Sequence, residues 1–412
     1  MLEKTWKKIE KDVDFLIKNA TINSEPLAHS YLVKQQIDGK FINLNNNGYD
    51  AYKKIIFTLL SFSNIEAHFI DKDIEDLVTK SIRVNKEKFK DIFLSNLDKI
   101  LNDVKTEEYT IYIPIYNIRL SDNWKFADVE LISPHNINLI KELNEAKDVK
   151  SLKDEGACLA RIYLRGYSCK KSSILAEERV LKIINIIYLI ISNQSSWVEN
   201  INALYQKKWF TNIKIIIDNK NNKSQTNYER QDKDIISLLD LNQYISLFNN
   251  KFAKKCEEII LNNNKDYLQK KIIHSLDWFG KGVDAIGVEK ILYHCIALEI
   301  LLTQDIDNES HYNLKSSTQQ ISERGAFLLG KNFIDRIFFS KSLKKIYRLR
   351  SEIVHSGKQR VEFLKILETQ ILTAKIIFAV IQLSKNIKTQ EKYNEYFEKL
   401  LFSCTDDNRH IP

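Results

Sequence analysis

The feature that most restricts the fold is a polar stretch, Asp218 to Asp234, made of almost nothing but Asn, Lys, Asp, Gln, Arg and Ser. Such a segment has little apolar surface to bury and reads as a linker or exposed loop. Strand signals lie before it. After it, from about Ile235 to Phe397, apolar residues recur with a helical period. The chain is therefore expected to be α+β overall. Residues 1–235 form a mixed α/β N-terminal region, residues 236–390 an all-α helical bundle, and residues 391–412 a helix end with a frayed tail. A length of 412 residues accommodates two or three domains.

Within the first region, residues 1–21 predict a helix with an apolar stripe at Trp6, Ile9, Val13, Phe15, Leu16 and Ile17. Asn45-Asn46-Asn47-Gly48 predicts a turn or exposed loop. Two more helices are expected near 50–62 and 86–103. Tyr109–Ile115 is rich in β-branched and aromatic residues, and Pro114 inside it points to an edge strand or a bulge. Phe126–Ile132 is the expected partner strand, Cys158–Tyr167 a third and Trp209–Ile217 a fourth. Lys171–Ser192 reads as one long helix.

Breakers are scarce, 10 Gly and 4 Pro, which favours long helices. A net charge of +8 is compatible with a nucleic-acid partner. No single Lys/Arg block stands out, however, so the charge is mild support only. The five cysteines, Cys158, Cys169, Cys256, Cys295 and Cys404, include no Cys-x2-Cys pair. That argues against a zinc site or a disulfide framework and fits a reducing, cytoplasmic setting. No apolar leader follows the first residues. The apolar run Ile183–Ile191 is far shorter than the ~20 residues that span a bilayer, so no membrane association is expected. No Gly-rich phosphate loop, His-Glu-x2-His or Gly-x-Ser-x-Gly occurs. Neither a cofactor nor a metal is expected. The acidic stretch Asp71–Asp76 lacks the Gly and terminal Glu of a calcium loop and reads as the first turn of a helix.

The residues that carry chemistry lie in Leu343–Lys358. Leu343, Ile346, Tyr347, Leu349, Ile353 and Val354 follow a helical period, and Gly357 stands where a helix stops. Arg350 and His355 fall in its last turns. Arginine is a permanent cation whose planar fork matches phosphate oxygens. Histidine both gives and takes a proton near neutral pH. The helix C-terminus favours the imidazolium. Five residues apart, the two side chains diverge by about 140° around one helix. Two such helices side by side around a two-fold axis would bring them to one phosphodiester. A surface Arg beside a C-terminal His is the plain structural reading of the same spacing.

The sequence Arg350-Ser351-Glu352-Ile353-Val354-His355-Ser356-Gly357 resembles the Arg-x4-His motif of the HEPN superfamily, and within it the Apea-like HEPN family. Leu276–Phe279, Ile296–Leu302 and Ser322–Leu329 resemble three earlier helices of that family, so the likeness covers about residues 250–390. The resemblance implies a metal-independent endoribonuclease that acts as a homodimer through this domain. Arg350 would stabilise transition-state charge, and His355 would be the general acid or base while an RNA 2′-hydroxyl attacks its own phosphate. Ser351, Arg324, Glu299 and Lys358 would support or position substrate, Glu299 as the ion-pair partner of Arg324 or Arg350. RNA is the implied substrate, tRNA among the candidates. The setting would be antiphage defence or a toxin, with a phage-derived trigger or a neutralising partner. Residues 1–235 would sense, regulate or position RNA. The alternative is a catalytically silent HEPN scaffold that dimerises or binds nucleotide or RNA. His274, His294 and His311 read as structural, and Tyr347 as core more than as a base-stacking platform.

Overall fold

A computed structural model of the chain describes residues 2–23, 31–37, 40–84, 88–115, 118–139, 143, 158–193, 214–221, 223–227, 239–304 and 316–402. The fold is α+β. Two compact units interleave along the sequence. The first comprises residues 1–112, 162–177 and 214–227, and the second residues 113–161, 178–213 and 228–412. The boundary expected at 235 lies outside the described residues.

In the first unit, α1 (Leu2–Lys18) packs along α2 (Asn46–Leu60). Trp6, Ile9, Val13 and Leu16 are buried, whereas Phe15 is on the outer side, so the stripe is narrower than the sequence implies. The Asn45–Gly48 stretch is not a loop: Asn46 to Gly48 open α2, and the exposed Asn45 caps them by accepting the Gly48 N–H. Between the two helices, β1 (Ala20–Asn23), β2 (Tyr31–Ile37) and β3 (Lys40–Leu44) form an antiparallel sheet in the order β1-β3-β2, which no sequence signal announced. A short turn α3 (Ser63–Glu66) precedes α4 (Asp71–Val84) and α5 (Phe89–Asp103). The acidic stretch opens α4, and Asp73 accepts the Ile70 N–H at 3.0 Å, a helix-starting bond.

Four strands, β4 (Glu108–Ile115), β8 (Cys158–Arg165), β9 (Lys214–Asp218) and β10 (Lys223–Asn227), are hydrogen-bonded in the order β10-β9-β4-β8. β4 is thus an interior strand, which removes the edge from the two readings of Pro114, an edge or a bulge. Its pairing with β9 ends at Tyr112, two residues before the proline, so no ladder N–H is asked of Pro114 there. β10 corrects a second expectation, because it lies inside the stretch read as a loop. Asp218 takes the N–H groups of Lys220 and Asn221 at 3.0 and 3.1 Å, which turns the chain back onto the buried Ile215–Ile217.

In the second unit, Phe126–Ile132 is not one strand. β6 (Trp124–Phe126) and β7 (Val129–Ile132) form a hairpin with Ala127 at φ 54°. A two-residue parallel pairing joins β5 (Ile118–Arg119) to β11 (Leu239–Asp240). The predicted long helix is present as α6 (Cys169–Ser192). The rest is helical: α7 (Lys251–Leu261), α8 (Tyr267–Asp284), α9 (Glu289–Leu302), α10 (Ser317–Leu329), α11 (Phe333–Ser356), α12 (Phe363–Leu383) and α13 (Gln390–Phe402).

A capping box of Asp266 and Gln269 starts α8. α8 lies along α9, α10 along α11, and α12 against α8, α9 and α10. Gly325 permits the close approach of α10 to α11, since a Cβ there would sit 2.5 Å from the Leu343 Cδ1. α12 is the one described helix long and apolar enough to cross a bilayer, and it surpasses the Ile183–Ile191 run in that respect. Apolar on nearly all sides, it is mostly buried inside the bundle, with Ile376, Ile377, Val380 and Ile381 fully covered.

Candidate functional site

The site is built on the last three turns of α11. Asn332 caps the helix start by accepting the Asp335 N–H at 2.8 Å. Gly357 ends it at φ 64°, ψ 26°, a left-handed conformation that glycine adopts without a Cβ penalty. Leu343, Ile346, Tyr347, Leu349 and Ile353 face the core. Val354 departs from the expected stripe and is 49% exposed. Tyr347 is a core residue: its hydroxyl donates to the Cys295 carbonyl at 3.0 Å, and burial pushes its phenol well above the ordinary range.

Arg350 lies on the inward side of α11 and His355 on the exposed side, as their spacing predicts. Nη2 of Arg350 is 3.7 Å from Oε1 of Glu299 on α9. Of the two cations considered for Glu299, Arg350 is the one that meets it. Arg324 goes elsewhere. It is buried on α10, donates to the Leu302 carbonyl at 3.2 Å and to Asn394 Oδ1 at 3.1 Å, and stacks over the Phe397 ring at 4.8 Å. It therefore satisfies a C-terminal carbonyl of α9 and ties α10 to α13. Desolvation holds its pKa below the ordinary arginine value.

Ser351 is exposed. Lys358 bonds Glu352 Oε2 at 2.7 Å, and Arg348 Nε stands 3.5 Å from Glu352 Oε1. The Lys358 hydrogen bond is the main cause of a Glu352 carboxyl held below its usual value. Glu352, unassigned from sequence, is thus shared between two cations. The i,i+4 spacing of Arg348 and Glu352 was the available signal. Beside them a cavity of about 470 Å³ opens between α11 and α12, rimmed by Lys345, Arg348, Lys358 and Lys365 and floored in part by Ile346 and Leu349. Lys365 comes from α12, across the turn at Gly357, and no spacing on α11 could have placed it.

A second cavity, of about 410 Å³, lies in the first unit. Three of its four carboxylates are engaged: Asp73 accepts the Ser168 hydroxyl at 2.5 Å, Asp76 pairs with Lys170, and Glu107 accepts the Tyr109 hydroxyl. His274 is exposed, His294 is buried, and His311 lies outside the described residues. Among the described residues no three His, Cys, Asp or Glu side chains cluster as a metal site. No family model, no curated protein and no solved structure matches this chain.

Proposed function

We propose that the chain is an Apea-like HEPN endoribonuclease that works without a metal and as a homodimer. The observation that carries this reading is the end of α11. A guanidinium oriented by Glu299 and a solvent-exposed imidazole sit on its last turns, stopped by Gly357. Arg350 supplies fixed positive charge for the pentacovalent transition state. His355 moves protons. The RNA 2′-hydroxyl gives up its proton as its oxygen attacks the adjacent phosphorus, the P–O5′ bond breaks, and the 5′-oxygen takes a proton and leaves as a hydroxyl. The products are a 2′,3′-cyclic phosphate and a 5′-hydroxyl. DNA, lacking the 2′-hydroxyl, stays intact.

Arg350 and His355 of one copy diverge around the helix, so a second copy completes the site. Two exposed apolar side chains on either side of the Gly357 turn, Val354 and Leu364 at 49% and 69%, support a contact between copies there. In this reading the RNA is cut in antiphage defence or by a toxin, tRNA among the candidate substrates, in the cytoplasm. One observation favours the silent-scaffold reading: Arg350 is already paired, and an ion pair with Glu299 can be purely structural. The deciding experiment compares wild type with His355→Ala on a labelled RNA in EDTA, with the products analysed for the cyclic phosphate. Cleavage by wild type alone supports the nuclease; equal cleavage by both, or by neither, leaves the scaffold.

A further inference from the structure

We infer that the cavity between α11 and α12 binds the phosphate of a nucleotide unit in the RNA strand, next to the unit that is cut. The choice of RNA as ligand rests on the nuclease reading; the cavity and its charges do not.

The volume, about 470 Å³, is within the range of small-ligand pockets. Its chemistry is divided. Ile346 and Leu349 are buried apolar residues at its floor, and four cations, Lys345, Arg348, Lys358 and Lys365, line it. Glu352 and Glu368 are the acidic residues of the lining, so positive charge is in excess. Glu352 is contacted by Lys358 at 2.7 Å and Arg348 at 3.5 Å, one carboxylate against two cations. Lys365 is drawn toward Glu362 at 3.2 Å, an exposed i,i+3 pair that contributes little. An incoming phosphate can replace these weak partners, because its oxygens offer the same acceptors with more charge. The apolar floor beneath suits the face of a sugar or base.

The cavity also has a fixed relation to the candidate site. Arg348, Glu352 and His355 are four and three residues apart on α11, so they follow one another along one face of the helix. His355 is therefore about one turn beyond the Glu352 that stands in the cavity. A strand whose scissile phosphate meets His355 runs its neighbouring unit toward Lys358 and Arg348. Contacts of this kind position a chain and carry no sequence information.

The test uses the full chain with His355→Ala, so that binding is read without cleavage. The probe is a fluorescein-labelled single-stranded oligouridylate, its affinity measured by anisotropy from low to high salt. K345Q/K365Q is expected to weaken binding by about tenfold at low salt and to lower the salt slope by about 1.4, at about 0.7 per phosphate contact on single strands. E352Q is expected to tighten binding severalfold, because it removes the competing carboxylate. Each single lysine variant carries about half the effect, which covers a double variant that fails to fold. AMP tests the free-nucleotide source. Complete displacement of the oligonucleotide by equimolar AMP would overturn the assignment to an RNA chain. Unchanged affinity and slope in K345Q/K365Q would overturn the site, whatever the cleavage assay gives. Weakened binding in a chain that never cleaves RNA would leave the site standing and remove the nuclease.

Discussion

The Arg350 guanidinium lies 3.7 Å from the Glu299 carboxylate, reaching from α11 to α9, with each side chain about one-third exposed. At that exposure the pair contributes only ~0.2–1 kcal/mol to stability. Its larger effect is orientation, because it fixes a fork that would otherwise sample many rotamers. Glu299→Ala is expected to lower kcat at least tenfold with little change in KM, and to shift the melting temperature by at most a few degrees. A stability loss with kcat intact would make Glu299 a structural partner only.

General acid–base catalysis contributes ~10²–10⁴ in rate, and one preorganised electrostatic contact ~10²–10³. His355→Ala should therefore lose two to four orders of magnitude in cleavage while RNA affinity stays nearly constant. Arg350→Lys should lose most of its activity too, because an ammonium keeps the charge but not the fork. His355 is exposed, so its removal leaves the melting temperature unchanged. Cleavage rates and anisotropy on the same preparations check both statements.

A site shared between copies requires a dimer, so light scattering should give twice the 48.3 kDa chain mass. Leu364→Glu puts a charge on the exposed apolar side of the Gly357 turn and should yield an inactive monomer. Mixing the inactive His355→Ala and Arg350→Ala chains should restore part of the activity if the two residues act from different copies. A fully active monomer at micromolar concentration would refute the composite site.

A buried group of titratable residues contributes to the pH dependence of stability. Tyr188 donates to Asp284 at 2.7 Å, Lys290 donates to the Val283 carbonyl at the end of α8, and His294 is fully buried with neither ring nitrogen hydrogen-bonded among the described residues. Burial pushes Asp284 from 3.8 up to about 7 and His294 from 6.5 down to about 3. Between 3.8 and 7 the folded chain keeps a proton on Asp284 that the unfolded chain releases, so this term falls as pH rises. Between 3 and 6.5 the unfolded chain protonates His294 and the folded chain does not, so this term rises with pH. The two oppose each other in the wild type. Asp284→Asn should make stability climb more steeply from pH 4 to 6.5, by up to about 1.4 kcal/mol per unit. His294→Leu should tilt the same window the other way. Urea titrations across this range check the signs, and equal slopes in all three proteins would reject the account.

Local chemistry determined much of this protein from sequence alone. The helical period of Leu343–Ile353, the stop at Gly357 and the Arg350–His355 divergence depend only on residues within a few turns, and each is where the pattern placed it. The same holds for the strand expected over Cys158–Tyr167, present as β8 and closed by the positive φ of Gly166, for the long helix α6 and for the acidic start of α4. The strands whose partners are distant were harder to read. β1 to β3 carried no signal, β10 hid in a polar stretch, and β4 looked like an edge or a bulge because Pro114 cannot show where its pairing ends. A strand is stabilised by whatever lies beside it, and sequence records that neighbour only weakly.

The candidate site divides in the same way. Its helix and its two motif residues were legible in the order of the chain. Which cation meets Glu299 was not, nor that Arg324 is spent on Leu302, Asn394 and Phe397, nor that Lys365 turns back to face Arg348 across a cavity. Those choices are made by the packing of α9 to α13, where a guanidinium leaving water takes the acceptors that the neighbouring helices present to it.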